Sequence, residues 1–464
     1  MSIWQQKVYP KLPVFAQNWA ISAYGYTWYK RRFGGIFEQE LRSAKEREGF
    51  STQQWRDHQT LELRKLLVHA FESVPLYRVR YRALGITKSQ LERFELEDLP
   101  RLPLLSKEDL RRFGTSTLLS SKREKGGQFF GSSGSTGTPT QILYSHAFHQ
   151  RVNAFMEARV RHWAGVTGHS PRGMIGGRRI LPDAGNHPPF YRYNRIERQT
   201  YFSAYHISAL NAPNYLRGMQ RNGVVYMTGY AMSNYLLAAQ FDHLELSAPP
   251  LQAVITSSEK LTPAMRALFY KVYGCRTFDS YSGIENCGLI SESPQGQLLV
   301  SPDVGIMEIL DAAGHPVPPG QEGEVVSTGF LNYDQPLIRY RIGDTVRMAD
   351  HPPSACGRAM PVVAEISGRT EDGIITRDGR QMVRFHGIFI NLPNLVEAQV
   401  VQHDFDRYTV RVVAPGHLSQ EEEQTIVSRM KSQLGKDVHV IVHRVGAIPR
   451  TSNGKFKAVV SELT

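Results

Sequence analysis

The sequence predicts an α/β protein: a large N-terminal domain of mixed β-sheets and flanking helices, followed by a small α+β domain. Three observations carry this. The chain has 464 residues, more than one ordinary core accommodates, so it divides into domains. Between residues 100 and 365, helical patterns alternate with short β-rich runs such as "GVVYM", "LQAVIT" and "GEVVSTG". After "SGRTEDG" (residues 367–373) the pattern changes to a hairpin, a strand, a helix and a strand.

Residues 1–50 are rich in aromatic and basic side chains, as in "WAISAYGYTWYKRRFGGIF". Two readings stay open for them: an amphipathic arm packed on the main domain, or a peripheral membrane or partner contact. At Ser51, "STQQW" reads as a capping box, with Gln54 three positions on. Leu63, Leu66, Leu67, Ala70 and Phe71 then recur at helical spacing until Pro75 marks the stop. Near the C-terminus, "GIITRDGRQMV" reads as a hairpin turning at Asp378 and Gly379. A strand "YTVRVVA" follows. The next helix starts at Ser419 with Glu422 completing a capping box, and Ile426, Met430 and Leu434 align on one face. A last strand is expected in "DVHVIVHRV". The division is therefore an arm at 1–50, a large domain at 51–370 and a small domain at 371–464. There is no internal repeat and no low-complexity tract.

Composition narrows the function. Hydrophobic residues are 41% and charged residues 21% of the chain, which fits a globular protein and not a disordered one. No run of about 18 apolar residues predicts a membrane span. The N-terminus lacks the charged, apolar and small-residue regions of a secretion signal, so a cytoplasmic location is expected. Cys275, Cys287 and Cys356 are sparse and odd in number, which suits reduced thiols and makes no zinc site. The net charge of +12 suits a polyanion, but its lysines and arginines are scattered. With neither zinc-finger spacing nor an aromatic signature, nucleic acid is not expected as a partner.

The stretch "GSSGSTGTPT" (residues 131–140) sets three glycines among Ser and Thr residues. It suits a phosphate cradle, a linker or a surface turn. A Walker loop would need a lysine after the last glycine, and none follows. Glycine lets backbone N–H groups approach an anion closely, and hydroxyls add donors, but neither supplies charge.

Four further motifs follow in order: "ITSSEKL", "DSYSGIENCG", "LIRYRIGD" with "SGRTEDG", and "PRTSNGKFK". Together with the Ser/Thr/Gly stretch they resemble the adenylate-forming superfamily of acyl- and aryl-CoA synthetases, adenylation domains and luciferases. The unbroken "IRYRIGD" and the upstream "LPRLPLLSKEDL" resemble its phenylacetate–CoA ligase branch, and within that the subgroup often associated with polysaccharide gene clusters. The resemblance covers nearly the whole chain.

It implies a large adenylate-forming domain and a small mobile lid. The expected reaction activates a carboxylic acid with ATP to an acyl-adenylate, releasing pyrophosphate, and then passes the acyl group to the thiol of coenzyme A. Two other outcomes stay open: transfer to an amine, a hydroxyl or a carrier protein, or a nonenzymatic binding protein on the same fold. By the same resemblance, Ser132, Ser133, Gly134, Ser135, Thr136 and Gly137 hold the β- and γ-phosphates. Glu285 matches the carboxylate that holds Mg²⁺. Ser257, Ser258, Glu259 and Tyr281 match the adenine pocket, Asp344 the ribose-binding carboxylate, and Arg369 the arginine near the α-phosphate. Lys455 matches the catalytic lysine that stabilises the adenylation transition state from the second domain. Glu371 and Asp372 match the hinge, and Gly387 a glycine of the thiol tunnel. The acid is expected near Tyr205, His206, Tyr230 and Gly283, which suit an aryl or medium-sized acyl group.

Some positions depart from the pattern. Ile284 stands where a hydroxyl residue is usual, and Ser282 stands where glycine is usual. "SACGR" and "SESP" lack the cysteines with which relatives hold a structural metal, so no zinc is expected. Monomer and homodimer both remain open.

Overall fold

The computed structural model describes residues 9–131, 140–176, 180, 187–259, 261–350, 356–367, 374–377, 381–382, 385, 386–389, 392, 394–395, 397–414, 416, 418–449 and 458–463. Helices open the chain: α1 (Val14–Phe33), α2 (Phe37–Glu46), α3 (Thr52–Ser73), α4 (Pro75–Ala83), α5 (Lys88–Leu91) and α6 (Lys107–Phe113). A hairpin of β1 (Gln128–Gly131) and β2 (Gln141–Tyr144) leads into α7 (His146–Phe155). Then come β3 (Arg172–Gly176), β4 (Tyr191–Asn194), β5 (Gln199–Ser203), α8 (Ala212–Arg221), β6 (Tyr226–Tyr230), α9 (Ala231–His243), β7 (Ala253–Ser257), α10 (Pro263–Tyr273) and β8 (Arg276–Tyr281). Antiparallel strands follow: β9 (Ile290–Glu292), β10 (Leu298–Val300), β11 (Gly305–Leu310), β12 (Glu322–Gly329), β13 (Tyr340–Met348) and β14 (Val362–Ser367).

Twelve of these strands form one mixed sheet, ordered β11-β12-β13-β14-β10-β9-β8-β7-β6-β3-β5-β4. β5, β3, β6, β7 and β8 run parallel, joined in part by α9 and α10; every other pairing is antiparallel. The parallel strands are buried on both faces, so they read as short apolar runs such as Ala253–Ser257 and not as alternating ones. This is the expected α/β class with a mixed sheet.

Local signals explain where several helices begin. Ser51 Oγ accepts from the Gln54 backbone N–H, and Gln54 Oε1 accepts from the Ser51 N–H at 2.8 Å. Leu63, Leu66, Leu67 and Ala70 are buried along α3, as their spacing predicts. Pro75 does more than stop that helix: it occupies the first turn of α4, where its missing N–H costs nothing.

The C-terminal part has β15 (Ile374–Ile375) paired with β16 (Gln381–Met382), α11 (His386–Phe389), β17 (Glu397–Gln402), β18 (Arg407–Val413), α12 (Gln420–Leu434), β19 (His439–Arg444) and β20 (Val459–Ser461). The β15–β16 pairing is that of the expected hairpin; Asp378 and Gly379 lie outside the described residues. Four strands form a second sheet, β19-β18-β17-β20. The Ser419–Glu422 capping box opens α12, and Ile426, Met430 and Leu434 are buried against Val400, Val410 and Val440.

The N-terminal arm packs in the opposite sense to an ordinary amphipathic helix. α1 buries Gln17, Ser22, Gly25 and Arg31, while Phe15, Trp19 and Tyr26 face outward. The reason lies in its neighbour β4, an edge strand whose backbone needs hydrogen-bond partners. The Tyr193 N–H donates to Asn18 Oδ1 at 3.0 Å, and the Arg195 N–H donates to Ser22 Oγ at 3.0 Å. A Cβ at Gly25 would collide with the Asn194 side chain, so glycine permits this close approach.

Candidate active site

The parallel strands β6, β7 and β8 end side by side, with Tyr230 opposite Ser257 and Ser257 opposite Ser280. In parallel sheets the segments leaving the carboxyl ends of the strands are where ligands collect. Four of the residues singled out in the sequence stand at these ends or just beyond: Tyr230, Ser257, Ser258 and Tyr281. Ser258 has φ of 70°, a left-handed conformation uncommon outside glycine, which turns the chain sharply after β7. Glu259 follows, and its Oε2 accepts from the Met232 N–H at 2.8 Å, placing the carboxylate on the first turn of α9.

The turn after β8 carries Glu285. A Cβ at Gly283 would run into Glu285 Oε2, so glycine here makes room for the carboxylate. The Ile284 side chain is partly buried against the main core, and its carbonyl oxygen accepts from Tyr144 Oη at 2.7 Å. Asn286, with φ of 44°, donates through Nδ2 to Tyr144 Oη at 2.6 Å. Ser282 Oγ lies 3.1 Å from the Gly288 carbonyl oxygen, its acceptor. The two departures at Ser282 and Ile284 therefore have structural roles: one hydroxyl bridges the turn and one apolar side chain anchors it. Tyr144 ends β2, so the same bonds tie the β1–β2 hairpin to the Glu285 turn. Within that hairpin Gly131 pairs with Gln141, which makes the Ser/Thr/Gly stretch the connection between two paired strands.

Glu285 is buried, and Tyr340 Oη donates to its Oε1 at 3.2 Å. Burial pushes the Glu285 carboxyl above the ordinary glutamate range; the Asp344 charge adds to this, while the Lys107 charge and the Tyr340 bond oppose it. Asp344 Oδ2 accepts from Tyr281 Oη at 2.9 Å. Burial and the neighbouring Asp344 charge raise the Tyr281 phenol far above its usual value, so it stays a donor. Opposite β12, β13 bulges: Glu324 pairs with Thr345 but Val326 pairs with Arg341. The bulge contains Gly343, with φ of 80°, and Asp344. Lys107 Nζ would lie 2.9 Å from a Cβ at Gly343, so the glycine admits the lysine beside Asp344.

Of the expected residues, Tyr281, Glu285 and Asp344 come together, with Gly283 making the space. His206 does not join them as an open side chain. It is buried, its Nδ1 is 2.7 Å from Ser203 Oγ, and its ring stacks on Phe190 with centroids 4.9 Å apart. Tyr205 packs against the C-terminal hydrophobic cluster. Gly387 lies in α11. Ser132, Ser133, Gly134, Ser135, Thr136, Gly137, Arg369, Glu371, Asp372 and Lys455 lie outside the described residues. Sequence reasoning gave no role to Lys107, Tyr340 or Tyr144. Tyr340 and Lys107 sit inside stretches that carried the resemblance, "LIRYRIGD" and "LPRLPLLSKEDL". Their proximity to Glu285 comes from the bulge and the α6 start, which no periodicity marks.

Among the described residues, no three His, Cys, Asp or Glu side chains gather as a metal site. One buried carboxylate still fits Mg²⁺, because that ion is commonly held by one or two carboxylates together with substrate phosphates and water. The arrangement can hold a polyhydroxy ligand on Asp344 and a hard cation on Glu285, with phenols fixing both.

Residues 374–462 match the family model described as the CapK C-terminal domain. Protein CapK of Staphylococcus aureus is 24% identical, over 98% of this chain and 99% of its own length. The phenylacetate-coenzyme A ligase of Aromatoleum evansii is 27% identical, over 84% of this chain and 91% of its own. Among solved structures, a 2-hydroxyisobutyryl-CoA ligase in complex with 2-HIB-AMP and CoA superposes with a TM-score of 0.60 at 20% identity, covering 90% of this chain and 91% of that one. That likeness establishes a shared fold.

Proposed function

We propose that the chain is a phenylacetate–CoA ligase-like adenylate-forming protein and works as an AMP-forming acid–CoA ligase, a reading supported by its similarity to CapK and to phenylacetate-coenzyme A ligases along most of its length. The observation that carries this reading is the pair Glu285, on the turn after the parallel strand β8, and Asp344, in the bulge of the antiparallel strand β13, each held by a tyrosine hydroxyl.

In the proposed reaction ATP binds with its ribose hydroxyls on Asp344 and its base along Ser257, Ser258 and Tyr281. Ser132, Ser133, Gly134, Ser135, Thr136 and Gly137 close on the terminal phosphates. Mg²⁺ on Glu285 offsets phosphate charge when bound. An acid carboxylate oxygen attacks the α-phosphorus, the bond to the β-phosphate oxygen breaks, and pyrophosphate leaves. Both reactants are anionic, so preorganised cations supply much of the rate. Lys455 and Arg369 are assigned that part, with Lys455 arriving on the small domain 371–464. Turning at Glu371 and Asp372 then withdraws Lys455 and opens a path past Gly387. The thiol sulfur of coenzyme A attacks the acyl carbon, its proton passes to solvent, and AMP leaves. The acid is assigned an aryl or medium-sized acyl group, contacting Tyr205, Tyr230 and Gly283.

Pyrophosphate exchange into ATP over a panel of carboxylic acids tests the first step, and AMP release with and without coenzyme A tests the second. One or a few acids are expected to support exchange, and coenzyme A to accelerate AMP release. Lys455→Ala should lower exchange by about 10²–10³-fold while the thermal midpoint is unchanged. Exchange that survives this substitution would overturn the mechanism. Acceleration by an amine or a carrier protein, with coenzyme A inert, would overturn the acceptor.

A further inference from the structure

α1 presents its apolar stripe to the outside. Phe15 is 70% exposed, Trp19 66% and Tyr26 48%, and with Ala23 and Lys30 they stand at i, i+4, i+8, i+11 and i+15 along one line. A surface helix ordinarily turns such a stripe toward the core. Here the inner face is taken by hydrogen bonds: Asn18 and Ser22 cap the β4 edge, Gln17 bonds Arg192, and Arg31 donates to the Tyr144 carbonyl oxygen. The aromatic face is thus built outward, on a helix that polar contacts hold in place.

We propose that this face seats the protein on the surface of an anionic lipid bilayer. The chemistry of the stripe selects that occupant. Phenylalanine, tryptophan and tyrosine beside lysine suit the boundary between headgroups and acyl chains. Lys30 Nζ lies over the Tyr26 ring, 4.6 Å from its centroid, so charge and aromatic surface are presented together. The first 37 residues hold five Lys and Arg and no Asp or Glu. Lys11 and Lys30 are exposed near the two ends of the stripe. The β4–β5 turn, bonded to α1 through Ser22, exposes Ile196 between the exposed Arg195 and Arg198. A second copy of this face would meet it with like charge. A convex helix also fits a fluid bilayer, which moulds to it without the shape complementarity a protein interface needs. The helix lies on the bilayer and does not cross it, since among the described residues no helix is long and apolar enough to span a membrane.

Co-sedimentation of the full chain with vesicles tests this, using phosphatidylcholine alone and phosphatidylcholine mixed with phosphatidylglycerol. Binding is expected on the anionic vesicles and should weaken as salt rises. Combined Phe15→Ser, Trp19→Ser and Tyr26→Ser should lower partitioning by about tenfold or more, and Lys30→Glu by about fivefold or more. The thermal midpoint and ATP-dependent activity in solution should not change. If the triple variant fails to fold, Trp19→Ser alone carries the test, and the lipid and salt dependence of the unaltered chain needs no variant. Absence of binding, equal binding to neutral vesicles, or indifference to the stripe substitutions would overturn the proposal. So would a dimer in sedimentation that these substitutions abolish, which would give the face to a second copy.

Discussion

Glu285 and Asp303 are both buried carboxylates in the same half of the protein, yet their surroundings are opposite in kind. Asp303 Oδ2 accepts from Arg47 Nε at 2.9 Å and from Arg159 Nη2 at 3.2 Å, and Arg159 is fully buried. Arg159 in turn holds Glu48, which also pairs with Arg358 at 2.9 Å. Guanidinium groups thus neutralise Asp303 within the fold. Glu285 instead has a neutral phenol at 3.2 Å and a second carboxylate, Asp344, close by. Among the described residues its charge is offset only in part, by its own backbone N–H, by Lys107 and by the Tyr340 hydroxyl, with no guanidinium bonded to it. A buried anion already paired with arginine belongs to the scaffold; one held by a phenol is available to a cation that arrives with a ligand.

The sharpest way to break that contrast is to neutralise each carboxylate in turn. Glu285→Gln should lower acid-dependent pyrophosphate exchange by about 10²-fold or more, with the thermal midpoint unchanged or raised, because a raised carboxyl pKa marks an ion the fold does not favour. A stability loss with full exchange would reverse the assignment. Asp303→Asn should do the opposite. It leaves buried Arg159 short of one anion and should cost ~3–5 kcal/mol in denaturant unfolding, with exchange per folded molecule unchanged. A third carboxylate, Asp279, gives the smallest and most graded effect. Burial and the neighbouring Glu292 push it up to about 7, although Arg266 pairs with Glu292 at 2.7 Å. The native state therefore holds this proton more tightly than the unfolded chain, and stability contributed by the protonated form is lost as pH rises from about 4 to about 7. Asp279→Asn removes that loss. The variant should match the unaltered protein near pH 4 and exceed it by ~1–3 kcal/mol near pH 8, read as thermal midpoints across pH. A constant difference across that range would show that Asp279 is ionised throughout in the folded protein.

What the sequence made legible follows from how local each signal is. The α3 and α12 starts were readable because a capping box needs only two side chains three residues apart, Ser51 with Gln54 and Ser419 with Glu422. The alternation of strands and helices gave the α/β class, and ordered motifs picked out Tyr281, Glu285 and Asp344. Sheet order was not legible, because β14 sits between β13 and β10, a pairing fixed only by long-range packing. Nor was the company of Glu285. Tyr340 lies 55 residues away in sequence, and Lys107, further still, comes to the site by packing over Gly343. The orientation of α1 also escaped pattern reading. Its aromatics look like core residues in the sequence, and only the hydrogen-bonding demand of β4 decides which face turns inward.

That demand has one more consequence. The long sheet ends at β4 on one side and β11 on the other, and an open strand edge is a template on which another chain can add. On the β4 side, Asn18 and Ser22 occupy the N–H groups of Tyr193 and Arg195 with short side chains that cannot propagate a ladder. On the β11 side, Gln59 Nε2 blocks the Gly305 carbonyl oxygen at 3.2 Å. Helices of the N-terminal third therefore cover both ends of the sheet, and a chain trimmed of α1 should expose the β4 edge to strand addition, read as larger species in light scattering.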